Sequence, residues 1–374
     1  MPPIEELELS NEAQIRSILE TYQDPYLGCA LGAAGVIRGL SVDACSITAS
    51  LEFGFPLGRY EPQLRTALEQ ALRGEAGACA IDLQLSWSVQ ARGVQKGVQR
   101  HPAVKNVIAV ASGKGGVGKS TVAVNLALSL QAQGARVGML DADIYGPSQP
   151  RMLGMQGKPD SSDGKTFAPM RPYGLQAISI GLMVDEETPM IWRGPMVSQA
   201  LQQLMFQTRW EQLDYLIIDL PPGTGDIQLT LSQRVPVSGA VIVTTPQDIA
   251  LLDARKAFRM FQKVEVPVLG VVENMSLHIC SQCGHAEPVF GHGGAGRMAR
   301  DYGIELLGEL PLDIRIREQA DSGKPTVAAD PEGQLSEIYH AIALKTAARL
   351  SLRPKDYSGI MPKVVVQGEP AGKS

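Results

Sequence analysis

The hydrophobic pattern of the chain changes near residue 106. Before that point, apolar residues alternate with polar ones over residues 47–53 and again over residues 81–89, which is typical of strands buried on one face. Between them, residues 60–73 place leucines and alanines at helical spacing. The pattern therefore predicts a small α+β unit over residues 1–90.

A polar, basic segment with glycine and proline breakers follows over residues 91–105 and predicts a domain linker. From Asn106 onward, short apolar runs alternate with amphipathic segments. The predicted strands are 107–111, 137–140, 215–218, 240–243, 268–272 and 306–310, and the predicted helices are 120–133, 196–206, 250–264 and 332–350. Runs that are apolar throughout are typical of a parallel sheet covered by helices. The sequence thus predicts an α/β domain over residues 106–350 and a flexible tail over residues 351–374.

The composition describes a foldable protein and argues against some classes of function. Of the 374 residues, 44% are hydrophobic and 20% are charged, and 34 basic against 39 acidic side chains give a formal net charge of −5. That balance argues against a dedicated nucleic-acid binder, whose surface is usually basic. No stretch reaches the roughly 18 apolar residues that span a bilayer, and residues 1–8 lack a secretory pattern. We therefore expect a cytoplasmic protein without membrane or nucleic-acid partners.

A glycine-rich segment follows the first predicted strand of the α/β domain. Residues 113–120 match the pattern G-x-x-x-x-G-K-[ST], with a strand before them and a helix after them. Glycines let backbone amides converge on phosphate oxygens, and the helix N-terminus adds positive potential. We expect Lys119 to reach the β- and γ-phosphates and Ser120 to ligate Mg²⁺. The predicted phosphate-binding residues are Gly113, Lys114, Gly115, Gly116, Val117, Gly118, Lys119, Ser120 and Thr121. The alternative is a glycine-rich turn without a ligand.

Carboxylates follow two further predicted strands. The apolar run 216–218 ends in Asp219, an arrangement typical of the Walker B carboxylate, which holds Mg²⁺ through water. After it, the Gly223 amide is placed to sense the γ-phosphate. Asp141 and Asp143 follow the second predicted strand of the domain. For each aspartate, the alternative is a helix cap.

Lys114 is a second lysine at the start of the glycine-rich loop. A lysine there does not easily fold back onto its own phosphates but is able to cross a two-fold interface. The loop resembles the deviant Walker A motif of the ATPases related to MinD, ParA and the nitrogenase iron protein. The resemblance implies a nucleotide-dependent homodimer in which Lys114 contacts nucleotide on the partner subunit. It also implies that Asp141 and Asp143 lie in a switch region, with Asp143 orienting or activating the attacking water, so the expected catalytic residues are Lys114, Lys119 and Asp143.

The cysteines offer a second candidate site. The chain contains Cys29, Cys45, Cys79, Cys280 and Cys283, and an odd count without an export signal argues against a disulfide framework. Cys280 and Cys283 form a C-x-x-C pair between His278 and His285. The pair is compatible with a Zn²⁺ site completed by the two histidines, with a thioredoxin-like redox pair, or with two incidental cysteines in a loop. The fourth interpretation is half of a Cys₄ site for a [4Fe–4S] cluster, completed by a second subunit. A symmetric dimer would pair identical loops and favours this last interpretation.

Taken together, the motifs resemble the Mrp/ApbC family of iron–sulfur cluster carrier ATPases over about residues 105–350. The matching runs are GKGGVGKS, DADIYGPS, DLPPGTGD, ENMS, CSQCG and LPLDIRIREQADSGKP. The resemblance implies that Asn274, Pro311 and Asp313 lie near adenine and that Cys280 and Cys283 hold a [4Fe–4S] cluster between two subunits. It further implies ATP and Mg²⁺ as cofactors, hydrolysis coupled to cluster loading or release, and cluster-assembly proteins and apo iron–sulfur proteins as partners.

The first 90 residues resemble the small cluster-assembly domain often fused ahead of these ATPases. Asp24 and Pro25 match its Asp-Pro-Glu turn, but Tyr26 replaces the acid. Where that domain commonly has a cysteine, this chain has the run 53–57, FGFPL. We therefore expect a docking or regulatory role for this unit rather than a direct metal role.

Two other functions share parts of this pattern. A spatial-organisation ATPase like MinD or ParA, with a structural zinc site, would have the same loop but would need a basic amphipathic tail or a basic surface. Electron transfer, as in the nitrogenase iron protein, uses ligand cysteines far apart in sequence, unlike the pair in this chain. The guanine-recognition motif N-K-x-D is absent and the run 273–275, ENM, stands near its place, so we expect ATP rather than GTP.

Overall fold

The computed structural model describes residues 4–43, 46–76, 79–183, 194–280 and 282–356. The N-terminal part consists of α1 (Ile4–Thr21), β1 (Gln23–Asp24), β2 (Cys29–Ala30), α2 (Leu31–Ala34), β3 (Ile37–Asp43), β4 (Ser46–Phe53), α3 (Glu61–Ala76) and β5 (Ala80–Trp87). The larger part consists of β6 (Val104–Ala111), α4 (Lys119–Ala132), β7 (Val137–Asp141), α5 (Gln149–Met152), β8 (Gln176–Ser179), α6 (Gly194–Gln207), β9 (Leu213–Asp219), α7 (Asp226–Arg234), β10 (Gly239–Thr244), α8 (Asp248–Lys263), β11 (Val268–Glu273), β12 (His278–Ile279), β13 (Ala286–Glu287), α9 (Gly294–Tyr302), β14 (Glu305–Glu309), α10 (Ile314–Asp321), α11 (Thr326–Ala329) and α12 (Gln334–Ser351).

The larger part is built on a parallel sheet. Within the described ranges, seven strands lie in the order β14-β11-β10-β6-β9-β7-β8, and every neighbouring pair is parallel. Every residue of β7, β9 and β10 is buried, which explains their nearly unbroken apolar runs. The predicted fold class, a mostly parallel sheet flanked by helices and preceded by a small α+β unit, is confirmed.

The strand order brings the sequence motifs to one edge of the sheet. The first strand, β6, lies in the middle, and β9 separates it from β7. In the β7–β9 register, Asp141 pairs with Asp219, and in the β6–β9 register, Val110 pairs with Asp219. The loop from β6 to α4 therefore begins beside both carboxylates. Ligands of open parallel sheets bind at this carboxyl edge.

The N-terminal unit packs at the far end of α4 from the glycine-rich loop. Its strands β3, β4 and β5 form a three-stranded sheet in that order within the described ranges. The backbone amide of Arg59 donates to the Gln133 side chain at 2.9 Å, and the Arg59 guanidinium contacts the carboxylates of Glu332 and Glu337. Since α4 rises about 1.5 Å per residue, this junction lies roughly 20 Å from the loop.

The segment 91–105 lies against the larger part over much of its length. Gln95 is buried, and its side chain donates to the carbonyl oxygens of Ser232 and Val235 and accepts from the amide of Val237. Ser351, the first residue of the expected tail, belongs to α12, and Pro354 and Asp356 pair with the start of the 91–105 segment through backbone hydrogen bonds. Residues 357–374 of that expected tail lie outside the described residues. In the part of the chain that the structure describes, no helix is long and apolar enough to cross a membrane.

Some elements gave no sequence signal. Strand β8 has only four residues, and the hairpin strands β12 and β13 have two each. Such short elements depend on their tertiary partners, so a periodicity of apolar residues does not reveal them.

Candidate functional site

The glycine-rich loop has the backbone conformation that its glycines predict. Gly116 and Gly118 have φ values of +82° and +84°, in the left-handed region that favours glycine. Gly113 is constrained differently, because a Cβ there would lie 2.1 Å from the backbone carbonyl carbon of Asp253 in α8. Gly115 lies beside Pro222. The loop therefore fits closely between α8 and the segment that follows β9.

Asn274 braces this loop from the end of β11. Its side-chain amide donates to the carbonyl oxygen of Val117 at 2.9 Å. A Cβ at Gly118 would meet the same amide nitrogen at 2.1 Å, so a larger residue would displace Asn274. The expected contact of Asn274 with adenine stays a prediction.

Lys119 is held by carboxylates at the end of the loop. Its ammonium group contacts the Asp219 carboxylate and lies 3.6 Å from Asp143 Oδ2 and 3.2 Å from Ser120 Oγ. Lys119 is buried, and its charge compensates the neighbouring carboxylates. A polyphosphate in the loop would compete with Asp219 and Asp143 for this ammonium group.

Asp141 is fully buried and organises the segment after β7. One of its oxygens accepts from the amide of Asp143 at 3.1 Å, and the other accepts from the amide of Gln149 at 3.1 Å and from the Ser179 hydroxyl at 2.9 Å. Burial, followed by the charge of Asp219, raises the pKa of Asp141 to about 7. Asp141 therefore anchors the predicted switch segment.

Asp143 is buried on the same segment, two residues after Asp141. Its carboxylate accepts from the amide of Gly146 at 3.3 Å. Burial raises the pKa of Asp143, while the nearby Lys119 ammonium partly offsets that effect. A carboxylate with a raised pKa is a better proton acceptor near neutral pH.

The Gly223 amide has a partner within the chain. It donates to the carbonyl oxygen of Ser112 at 3.0 Å, and Gly223 has a φ of +103°. Ser112 Oγ in turn donates to the carbonyl oxygen of Lys114 at 2.8 Å. To bind a γ-phosphate, the Gly223 amide must leave Ser112, so the predicted sensing role requires a movement of this segment.

The oxygen groups at this edge suit Mg²⁺. The Ser120 hydroxyl and the Asp219 carboxylate lie at the head of α4 and the end of β9, and hard oxygen donors with room for water are what Mg²⁺ prefers. Gln149, which sequence reasoning missed, joins them. Its side-chain nitrogen donates to Asp219 Oδ2 at 2.9 Å and to the Ser120 carbonyl oxygen at 3.0 Å. No local motif marks this glutamine, because only the return of the chain from β7 brings it to the site.

The C-x-x-C pair lies in the turn of the β12–β13 hairpin. The amide of Cys280 donates to the His285 carbonyl oxygen, and the amide of Gly284 donates to the Cys280 carbonyl oxygen, both at 2.9 Å. Cys280 is half-buried and Cys283 is exposed. Hydrogen bonds from the backbone amides of Cys283 and Gln282, and from the Cys283 side chain, lower the pKa of the Cys280 thiol. Such a thiol is a better metal ligand, because the thiolate is the form that binds.

The hairpin is fastened to the loop that follows β14. The amide of Leu312 donates to the carbonyl oxygen of Leu277 at 2.8 Å, and the amide of Ser276 donates to the carbonyl oxygen of Leu310 at 2.9 Å. The Ser276 hydroxyl also donates to Leu310 O at 3.0 Å. Pro311 and Asp313, the expected adenine contacts, lie in this same loop. The C-x-x-C turn and the expected adenine loop therefore form one connected structure.

Asp313 also has a local role. It caps α10 by accepting from the Arg315 amide at 2.8 Å. The Arg315 side chain holds the pKa of the Asp313 carboxyl below its usual value. Its proposed contact with the nucleotide stays a prediction beside this helix-capping role.

The described part of a single chain does not bring together the ligands expected for the zinc site of Cys280, Cys283, His278 and His285. Among the described residues, no three His, Cys, Asp or Glu side chains are grouped so that they would hold a metal ion. The His278 ring instead lies beside the Leu312 carbonyl oxygen at 3.2 Å. The geometry therefore gives no support to the His278–His285 zinc site.

The parallel sheet, the loop leading into α4 and the carboxylates at the ends of β7 and β9 define a P-loop NTPase. The family model for the NUBPL iron-transfer P-loop NTPase matches residues 103–347, and the model for an iron–sulfur cluster assembly protein matches residues 12–83. The chain therefore belongs to the iron–sulfur cluster carrier family of P-loop NTPases, which confirms the resemblance drawn from its motifs.

Individual relatives agree with this assignment. The iron–sulfur cluster carrier protein of Haemophilus influenzae is 50% identical over 349 residues, which cover 92% of this chain and 93% of that protein. The mouse iron–sulfur cluster transfer protein NUBPL is 50% identical over 254 residues, 67% of this chain and 80% of that protein. A solved nucleotide-binding protein from Archaeoglobus fulgidus, in complex with ADP and with cobalt, has a TM-score of 0.56 and 38% identity, covering 63% of this chain and 93% of that one.

Proposed function

We propose that this chain is an ATP-hydrolysing carrier that holds a [4Fe–4S] cluster between two copies of itself and transfers it to apo-proteins. The observation that carries the proposal is an accessible C-x-x-C turn on a hairpin fastened to the nucleotide edge of a P-loop domain. The free thiols suit a reducing compartment, which we take to be the cytoplasm.

The cluster is the cargo, and the cysteines are its ligands. One chain supplies only two thiols at the turn, Cys280 and Cys283, whereas Cys₄ ligation is usual for [4Fe–4S] clusters. A two-fold axis through the turn would bring the same pair from a second copy, completing four ligands. The lowered pKa of the Cys280 thiol favours the thiolate that ligation needs.

Apolar side chains near the turn support the dimer. Ile279 and Val289, before and after the turn, are 56% and 51% exposed, and Ile249 and Leu252 on α8 are 69% and 56% exposed. Asp253 of α8 packs against the glycine-rich loop, so Ile249 and Leu252 lie on a helix that borders the nucleotide site. Exposed apolar side chains that together form one contiguous patch are typical of surfaces that bind another protein.

ATP hydrolysis would use the residues at the carboxyl edge of the sheet. Lys119 binds the β- and γ-phosphates, and Asp143 orients the attacking water and accepts its proton. Lys114, at the start of the loop, reaches the nucleotide of the second copy. When bound, Mg²⁺ neutralises phosphate charge, and Ser120 and Asp219 would hold it. Binding of the γ-phosphate by Gly223 would break its bond to Ser112.

The N-terminal unit would act as a docking or regulatory domain. We assign it residues 1–90, the linker 91–105, the ATPase domain 106–350 and the tail 351–374. Since the unit lies at the far end of α4 from the loop, it leaves the nucleotide edge open. Asp24 of this unit has a structural role, because its carboxylate accepts hydrogen bonds from the amides of Tyr26 and Leu27 and from the Tyr60 hydroxyl at 2.8–2.9 Å.

Anaerobic reconstitution tests this function. Wild type, Cys280→Ser and Cys283→Ser should be incubated with iron, sulfide and a thiol reductant, and then assayed for bound iron, sulfide and visible absorption. We expect near-equal iron and sulfide in the wild type and loss of both in the two variants. Cys29→Ser, a half-buried cysteine of the N-terminal unit, is the matched control and should bind as much as wild type. Equal cluster content in all four proteins, or stoichiometric zinc in place of iron, would contradict the proposal.

A further inference from the structure

Gln149 is the first residue of α5, and its fully buried side chain extends into the expected phosphate site. Its nitrogen lies 2.9 Å from Asp219 Oδ2 and 3.0 Å from the Ser120 carbonyl oxygen, and its backbone amide lies 3.1 Å from Asp141 Oδ2. One residue of the switch segment thus contacts both elements that would hold Mg²⁺.

These contacts give the two oxygens of Asp219 different partners. Oδ1 holds the Lys119 ammonium, and Oδ2 accepts from the Gln149 amide. A bound polyphosphate would attract Lys119 and release Oδ1. The Gln149 amide would then be the contact that keeps the carboxylate oriented, because fixing one oxygen of a carboxylate also fixes the direction of the other.

The other end of the Gln149 amide points to a ligand. Its oxygen is buried and has no hydrogen-bond partner among the described residues. Buried acceptors are almost always paired, so an unpaired one beside Ser120 and Asp219 indicates a group that arrives with the ligand. Mg²⁺ keeps several of its waters in such sites, and each of these waters is a hydrogen-bond donor.

We propose that Gln149 is a positioning residue for the Mg²⁺–nucleotide complex: its nitrogen fixes Asp219, and its oxygen accepts from a water of the Mg²⁺ shell. This inference rests on the nucleotide-binding part of the proposed function and not on the cluster. In this role, Gln149 connects the Mg²⁺ site to the switch segment, because its backbone amide donates to Asp141 Oδ2.

Equilibrium binding separates this role from a general effect on the site. The probe is N-methylanthraniloyl-ADP, titrated into the full chain with Mg²⁺ and with EDTA, so that the ratio of the two dissociation constants gives the Mg²⁺-dependent gain in affinity. Gln149→Met keeps length and volume but removes donor and acceptor. We expect its Mg²⁺-dependent gain to fall about tenfold, the usual scale for residues that orient metal ligands, with affinity in EDTA within about twofold of wild type.

Two further variants complete the test. Gln176→Ala removes another buried glutamine, whose side-chain amide hydrogen-bonds, among the described residues, only to the backbone of Glu211, and it should keep the wild-type ratio. Gln149→Asn withdraws both amide atoms from their partners while the side chain stays polar. It should lose the same Mg²⁺-dependent gain, and it takes the place of Gln149→Met if that variant does not fold. The proposal is overturned if the Gln149 variants keep the full gain, if they lose affinity equally in Mg²⁺ and EDTA, or if wild type itself shows no gain. Failure of wild type to bind the probe at all would instead contradict the proposed function.

Discussion

The Nδ1 atom of His278 lies 3.2 Å from the carbonyl oxygen of Leu312. Beside this contact, the backbone amide of Leu312 donates to the carbonyl oxygen of Leu277. These contacts connect the strand that leads into the C-x-x-C turn with the loop expected to lie against adenine. A nucleotide that moves one of these segments would therefore move the other, which would give a physical route from the nucleotide to the proposed cluster site.

Replacing His278 tests this route. We expect His278→Ala to load cluster normally but to lose about fivefold of the effect of ATP on cluster transfer, which corresponds to one hydrogen bond worth about 1 kcal/mol. The measurement is the rate of cluster transfer to an apo [4Fe–4S] protein, with and without ATP. His285→Ala, on the exposed side of the same hairpin, is the control and should retain the ATP effect. An unchanged ATP effect in His278→Ala would exclude this contact as the route.

The two lysines of the loop should have separable roles. Lys114→Ala should keep ATP affinity of the single chain within about twofold but lose ATP-dependent dimerisation and about 10³-fold in turnover, the scale of a cation supplied across an interface. Lys119→Ala should lose nucleotide binding itself, because we expect Lys119 to contact the phosphates of the nucleotide bound to its own chain. Fluorescent-nucleotide titration and light scattering distinguish the two outcomes. Full turnover in Lys114→Ala would contradict the shared site.

Asp143 should control the chemical step rather than binding. Asp143→Asn is expected to lower kcat by about 10²–10⁴-fold, the range for a positioned general base, while ATP affinity changes little. In wild type, kcat should rise with pH through a pKa above the ordinary aspartate value, because burial raises the pKa of Asp143. The variant should lack this acidic limb. A limb that persists in Asp143→Asn would assign the titration to another group.

The buried Asp141 should make the stability of the nucleotide-free chain depend on pH. Its folded-state pKa of about 7 lies above its ordinary value of 3.8, so the folded chain binds an additional proton between these values. The corresponding stabilisation is fully present below pH 3.8 and is lost as the pH rises through about 7. Thermal unfolding in EDTA between pH 5 and pH 8 measures this slope. Asp141→Asn should make thermal stability less dependent on pH. Its altered hydrogen bonds would lower stability by a similar amount at every pH and would not change this slope.

The sequence was sufficient for the features that depend on local pattern. The buried strands β7 and β9 contain nearly continuous apolar runs that end in aspartate, and the glycine spacing at residues 113–120 is typical of a phosphate-binding loop. These signals predicted the parallel sheet and the place where phosphate would bind.

Other features of the site depend on how distant segments meet. Gln149 reaches Asp219 only because β7 and β9 are neighbours in the sheet, and His278 reaches Leu312 only because the hairpin folds against the loop after β14. The pairing of Asp141 with Asp219 depends on strand register, which apolar runs without alternation do not specify. The raised pKa of Asp141 follows first from its burial and then from the charge of Asp219 beside it. Both depend on the tertiary fold, so sequence patterns do not predict the shift.

If two chains share one cluster, iron content measured together with molecular mass shows it most directly. Protein reconstituted without oxygen should be passed through a size-exclusion column with light-scattering and absorbance detection, and the peak should be assayed for iron. We predict cluster absorbance in a species of twice the chain mass, with about two irons per chain, since one Cys₄-ligated [4Fe–4S] cluster would serve two copies. Cluster absorbance in a monomer with about four irons per chain would contradict the shared site.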